Sequence, residues 1–135
     1  SYMELKITYM KPNHLSLVRK IEKKSFDYPW TKKDFEHQLS DPKVIANVIM
    51  EGDDLIGYYF VRKMKVGVEL MNLAVREDMR RQGVGSKMVE RIVRSHNNIV
   101  AYVTDANLSV HLFLKHCGFK ATEIIPSYYD KEGLD

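Results

Sequence analysis

Val68-Glu69-Leu70-Met71-Asn72-Leu73-Ala74-Val75, followed by Arg76-Glu77-Asp78-Met79-Arg80-Arg81-Gln82-Gly83-Val84-Gly85-Ser86-Lys87-Met88, decides how this chain is read. The first part is short and almost wholly apolar, as a buried strand is, and a charged loop separates it from an amphipathic helix. Gly83 and Gly85 let the backbone turn tightly and approach a ligand with no Cβ in the way. Amides at the start of a helix lack partners within the helix, and the helix dipole favours a negative group in front of them. Arg80 and Arg81 add fixed positive charge beside those amides. The stretch therefore reads as a pyrophosphate cradle, with an ordinary strand-to-helix turn as the plain alternative. It is not the dinucleotide fingerprint, which needs a third glycine where Ser86, Lys87 and Met88 stand, and no Gly-Lys-Ser/Thr phosphate loop is present.

Working outward toward the N-terminus, Lys63-Met64-Lys65-Val66-Gly67 links back to two strands, Val44–Met50 and Leu55–Arg62, joined by the hairpin turn Glu51-Gly52-Asp53-Asp54. Before them, Thr31 is placed to cap a helix with Asp34 in its first turn. The aromatic loop Ser25-Phe26-Asp27-Tyr28-Pro29-Trp30 precedes it, Pro29 biasing Tyr28 to extended geometry. Such a loop either packs on the core or forms one wall of a substrate groove. A helix is expected over His14–Lys24, with Leu15, Val18, Ile21 and Glu22 at spacings of three and four. A half-buried strand is expected over Glu4–Met10, where Leu5, Ile7 and Tyr9 alternate with Glu4, Lys6 and Thr8. Ser1-Tyr2 before Met3 reads as a tag remnant.

Toward the C-terminus, Val84, Met88, Ile92 and Val93 make the apolar stripe of the glycine-led helix, which Asn97-Asn98 ends. A strand over Ile99–Thr104, a helix after Asp105-Ala106-Asn107 that closes at Gly118, and a last strand within Phe119–Tyr128 follow. Strands and helices are mixed rather than strictly alternating, which predicts an α+β fold with helices on a mostly antiparallel sheet.

A length of 135 residues, with 44% hydrophobic and 29% charged residues, fits a single globular domain. No apolar run approaches the roughly 18 residues of a membrane helix. The lone cysteine, Cys117, rules out an internal disulfide framework and fits a reducing cytoplasm; on the apolar side of its helix it reads as a core thiol. A net charge of +3 is too mild for a nucleic-acid binder, and Lys87, Arg91 and Arg94 on one helical face read as a solvated surface.

Arg-x-x-Gly-x-Gly at Arg80–Gly85 resembles the acyl-CoA signature of the GNAT N-acetyltransferases. Glu22-x-x-x-Phe26-x-x-Pro29-Trp30 resembles the ribosomal-protein (alanine) N-terminal acetyltransferase branch of that family. Asn107 through Gly118-Phe119 is similar to the family's second acetyl-CoA motif. Tyr128-Tyr129 followed by Glu132-Gly133-Leu134-Asp135 is similar to its peptide-holding segment. The four matches are in order and span nearly the whole chain.

The resemblance implies the GNAT fold, a twisted mixed sheet split between its fourth and fifth strands to admit acetyl-CoA. Its final strand would begin about where the chain stops, so an edge there would be open to another chain. Backbone groups of Leu73, Ala74 and Val75 would hold the pantetheine and aim an amide at the thioester oxygen. Arg80, Arg81, Gln82, Gly83, Val84, Gly85 and Ser86 would hold the pyrophosphate, and Asn107 the pantetheine arm. Phe26, Tyr28, Trp30, Tyr102 and Tyr128 would line the acceptor site.

The resemblance is weaker on catalysis. The branch's glutamate base falls at Tyr102, and its thiolate-protonating tyrosine falls at Leu114. Glu69 stands where histone-type members carry their base, with a solvent-facing strand start as the alternative; Tyr128 and Tyr129 each offer a hydroxyl, Tyr129 being taken as the candidate acid. A thiol pKa of about 8.5 lets the thiolate leave with little help. Deprotonating a lysine (about 10.4) at neutral pH costs about 3.5 kcal/mol more than an α-amine (about 7.7–8.0), so a weakly based site suits a protein N-terminus. The expected activity is transfer of acetyl to such an α-amine. A small-molecule amine acetyltransferase and a silent acyl-CoA binder are the alternatives. A monomer or homodimer without metal, nucleic acid or membrane is expected.

Overall fold

A computed structural model describes residues 4–103 and 108–121. The chain divides into two compact units, 1–101 and 102–135. The first holds a sheet of five strands in the order β1-β2-β3-β4-β5: β1 (Leu5–Tyr9), β2 (Val44–Glu51), β3 (Asp54–Lys63), β4 (Val68–Val75) and β5 (Ile99–Ala101). Neighbours pair antiparallel except β4 and β5, which run parallel. The expected mixed, mostly antiparallel sheet is observed.

Helix α1 (Leu15–Ser25) follows a short 3-10 turn over Pro12–His14, and α2 (Lys32–Ser40) begins at Thr31 as expected. Thr31 Oγ1 accepts from the Asp34 amide at 3.1 Å, and Asp34 Oδ2 accepts from the Thr31 amide at 2.8 Å, a reciprocal capping box. That pair of bonds holds the Asp34 carboxyl below its ordinary pKa. Val18, Ile21, Phe35, Tyr58, Phe60 and Ala74 form the core on the α1–α2 face of the sheet. On the other face α3 (Val84–His96) lays Val84, Met88 and Ile92 against Ile49, Ile56, Tyr59, Val61 and Val68. Central β3 is buried on both faces from Leu55 to Val61, so its sequence is continuously apolar rather than alternating.

Strand β4 carries a bulge. Phe60 of β3 lies opposite Asn72, but Val61 lies opposite Leu70, so Met71 is an extra residue. Val68 and Leu70 pack on the α3 side, whereas beyond the bulge it is Leu73 and Val75 that do so, and Ala74 joins the α1–α2 core. Strand β5 is shorter than the expected Ile99–Thr104: Tyr102 and Val103 are not in the ladder, and Thr104 lies outside the described residues. In the second unit α4 spans Leu108–His116, Gly118 following it with φ +93°; Leu114 is buried and Cys117 half-buried. The final strand expected within Phe119–Tyr128 is not formed at 119–121, and the rest of it lies outside the described residues.

Candidate active site

The sheet opens at the end of β4. Parallel pairing to β5 covers only Val68↔Ile99, Glu69↔Val100 and Leu70↔Ala101, so Met71–Val75 have no β5 partner among the described residues. The direction of the unpaired groups follows from the ladder on the other side. The Arg76 amide donates to the Ile56 carbonyl at 2.7 Å, and Val75 lies opposite Gly57. In an antiparallel pair this phase points the amide and carbonyl of Ala74 at β3 and those of Leu73 and Val75 at the open edge. Of the three residues expected to meet a pantetheine through their backbone, Leu73 therefore presents both groups and Val75 its amide, the Val75 carbonyl accepting from Arg80 Nε, while Ala74 spends its own in the ladder.

The loop that follows reaches α3 through two left-handed residues, Arg81 (φ +63°) and Gly83 (φ +77°). A glycine adopts that conformation freely; for Arg81 it stores strain of order 1–3 kcal/mol, of the kind that collects at ligand sites. The Lys87 amide donates to the Gly83 carbonyl at 3.0 Å, and the amides of Val84 and Gly85 ahead of it have no partner within the helix. A chain of 13 helical residues stands behind them. Arg76 pairs with Asp78 at 2.6 Å, which raises the guanidinium pKa and lowers the carboxyl's. Arg81 forms no ion pair among the described residues. Backbone, dipole and charge all fit a pyrophosphate here.

Arg80, expected with its neighbours to hold the pyrophosphate, makes two bonds within the protein. Its Nε donates to the Val75 carbonyl at 3.0 Å, and its terminal nitrogen donates to Ser25 Oγ at 3.0 Å. It thus fastens the loop to the end of β4 and to the end of α1. Gln82 reaches back to the Asp78 carbonyl at 3.5 Å. Lys87 and Arg91 line a cavity of about 350 Å³ with Leu5, Ile7 and Met88, toward β1 and the opposite edge of the sheet, and Arg94 pairs with Glu90.

Gly83→Ala tests the cradle. No atom lies within 4 Å of the added Cβ, so the penalty is backbone strain alone. Stability should fall by about 1–2 kcal/mol, and relaxation out of the left-handed region should weaken CoA binding several-fold by titration calorimetry.

Glu69 sits on the α1–α2 face, since Val68 and Leu70 on either side of it pack toward α3; it is half-buried and lies opposite Arg62, whose guanidinium is bonded to Asp41. The aromatic loop splits by role. Trp30 meets Phe35 and Phe60 edge-on with ring centroids 5.3 and 5.1 Å apart, and Phe26 packs on the same core, while Tyr28 is 96% exposed. Tyr102, just beyond β5, is 61% exposed. Asn107, Tyr128 and Tyr129 lie outside the described residues.

Glu22, which opens the Glu22-x-x-x-Phe26-x-x-Pro29-Trp30 pattern but is given no site role by the sequence, links the aromatic loop to β4. Glu22 of α1 is 2% exposed. One carboxyl oxygen accepts from the Trp30 amide at 2.8 Å; the other accepts from Asn72 Nδ2 at 2.8 Å and from the Tyr58 hydroxyl. Burial and the Glu22 carboxyl drive the Tyr58 hydroxyl far above the ordinary tyrosine pKa, so it stays a donor. The signal in the sequence was a carboxylate on the apolar stripe of α1, with Leu15, Val18 and Ile21.

A sheet split beside a bulged fourth strand, with an anion cradle at the next helix, is the architecture of an acyl-CoA-dependent transferase. The chain belongs to the acetyltransferase (GNAT) family, whose pattern matches residues 15–119. It is 25% identical over 132 residues to a putative [ribosomal protein bS18]-alanine N-acetyltransferase of Bacillus subtilis, covering 93% of this chain and 87% of that protein. In fold it resembles the ribosomal-protein-S18-alanine N-acetyltransferase of Escherichia coli, with a TM-score of 0.80 at 18% identity over 93% of this chain and 83% of that one. It also resembles the aminoglycoside N-acetyltransferase AAC(6')-Iy bound to a bisubstrate analog of CoA, with a TM-score of 0.75 at 17% identity over 93% and 97%. The protein is an acetyl-CoA-dependent N-acetyltransferase by family.

Proposed function

We propose that this enzyme acetylates the N-terminal α-amine of a protein or peptide, in a cytoplasmic setting. The observation that carries this reading is the exposed Tyr28 on a loop whose other rings are anchored in the core, an open wall suited to an extended chain rather than an enclosing pocket. The likeness to ribosomal-protein alanine acetyltransferases supports it.

Acetyl-CoA supplies a thioester carbonyl, with the opening turn of α3 and Arg81 holding its pyrophosphate. Amides of Leu73 and Val75 at the open β4 edge stabilise negative charge as it develops on the thioester oxygen. The attacking nitrogen forms the new C–N bond, and its proton passes to Glu69, which returns it to solvent. The C–S bond breaks to release a thiolate, for which a pKa of about 8.5 requires little assistance. With no stronger base described, an α-amine is the easier nucleophile.

A small-molecule amine is the second reading, since the fold is shared with aminoglycoside enzymes. Thiol release from acetyl-CoA, measured against peptides with free N-termini, N-blocked lysine peptides and an aminoglycoside panel, separates the readings. Turnover confined to free N-termini supports the first, and turnover confined to small amines discards it. Glu69→Gln should lower kcat about 10²–10⁴-fold, the usual worth of a general base, without changing CoA affinity.

A further inference from the structure

We infer that Glu22 is a positioning residue that sets the acceptor wall and the donor strand with one carboxylate; the inference rests on the transfer reading above. Its two oxygens act on different parts of the site. One takes the Trp30 amide at 2.8 Å, and Trp30 ends the loop that presents Tyr28. The other takes Asn72 Nδ2 at 2.8 Å and the Tyr58 hydroxyl, and Asn72 lies between the Met71 bulge and Leu73 at the open edge. Asn72 is 9% exposed, so this tether is shielded from water. Three donors reach the two oxygens and none of these partners accepts from them, as suits an acceptor-only group.

The bulge is what makes the arrangement possible. Were the strand to alternate regularly through Met71, Asn72 would share the face of Leu70 and point toward α3, away from Glu22. With it, Asn72 turns to α1 and the next residue offers its amide to the open edge. One carboxylate thereby ties the loop that meets the acceptor to the strand that meets the thioester.

The two arms predict different kinetic signatures. In Glu22→Gln the amide oxygen can still serve Tyr58 and Asn72, but its NH₂ then meets the Trp30 N–H, donor against donor. Acceptor KM should rise about tenfold or more, the worth of a hydrogen bond to a charged group, with little change in CoA affinity. Trp30 is the sole tryptophan, so its emission reports the loop without any turnover. It should shift to the red and become more accessible to acrylamide. Tyr58→Phe leaves the Trp30 bond in place and should keep the wild-type emission. Asn72→Ala should instead lower kcat about tenfold at unchanged acceptor KM and unchanged emission.

A residue that only stabilised the fold would lower the melting temperature in all three variants and split neither KM from kcat nor Trp30 from the rest. Wild-type emission and acceptor KM in Glu22→Gln would overturn the proposal. Should Glu22→Gln fail to fold, unchanged kcat in Asn72→Ala overturns it. If the wild-type protein acetylates no amine, the transfer reading fails, and the emission of Glu22→Gln against Tyr58→Phe alone decides the tether.

Discussion

Glu22→Ala is expected to lose about 3–5 kcal/mol of stability, the usual consequence of removing one side of a buried charged network. At this chain length that corresponds to a fall of roughly 10–20 °C in melting temperature. The magnitude follows from what is left behind. The Tyr58 hydroxyl, Asn72 Nδ2 and the Trp30 amide all lose their acceptor at once. Each unsatisfied buried donor costs about 1–3 kcal/mol. Two effects work in the other direction: alanine favours the helix by less than about 0.7 kcal/mol, and the Trp30 amide is only part-buried. Tyr58→Phe removes one bond and should cost only about 1 kcal/mol. Urea unfolding of the two variants tests the difference. A loss in Glu22→Ala no larger than that in Tyr58→Phe would mean that the carboxylate is not the hub.

Local features were legible because their causes are local. Thr31 and Asp34 are three residues apart and cap one another. Gly52 turns a hairpin between two antiparallel runs, and Gly83 adopts the left-handed geometry that only a glycine takes without strain. What escaped depends on residues far apart in the chain. Glu22 was visible as an acid on an apolar stripe, but its partners Tyr58 and Asn72 lie 36 and 50 residues away. The bulge at Met71 was hidden because Val68–Val75 is apolar almost throughout, so no alternation existed to be broken. That bulge decides which face Asn72 and Ala74 occupy, and hence which backbone groups reach the open edge. Arg80 was read from the charge it carries. Its position between the Val75 carbonyl and Ser25 depends on α1 ending beside β4, which no spacing within Arg80–Gly85 encodes. The early departure of Tyr102 from the ladder likewise could not be read from an apolar run continuing past Ala101.

The opening of the sheet depends on a close approach at its other end, and Gly67→Ala should abolish it. Gly67 has φ +75°, and a Cβ added there would lie 2.1 Å from the Asn98 carbonyl oxygen and 2.7 Å from its carbon. Both are backbone atoms of the turn that starts β5, so no side chain can rotate aside. Either the turn between β3 and β4 or the start of β5 must move. The Asn98 carbonyl accepts from the Val68 amide at 2.9 Å, the bond that begins the parallel pairing, and the Met64 amide donates to the Gly67 carbonyl at 3.0 Å. Since β5 is held to β4 through only three residue pairs, losing the first loosens the whole strand. The expected loss is about 3 kcal/mol or more, of which only about 1–2 kcal/mol is left-handed backbone strain. Gly52→Ala supplies that strain alone, having φ +60° and no atom within 4 Å of the added Cβ. The distinguishing readout is ligand affinity. Strain in the Gly52 hairpin should leave CoA binding unchanged, whereas a displaced β5 removes one wall of the opening proposed for the thioester. Gly67→Ala should therefore bind CoA at least tenfold more weakly even at temperatures where it remains folded. Equal stability losses and equal CoA affinities in the two variants would show that the contact at Asn98 does not set the split.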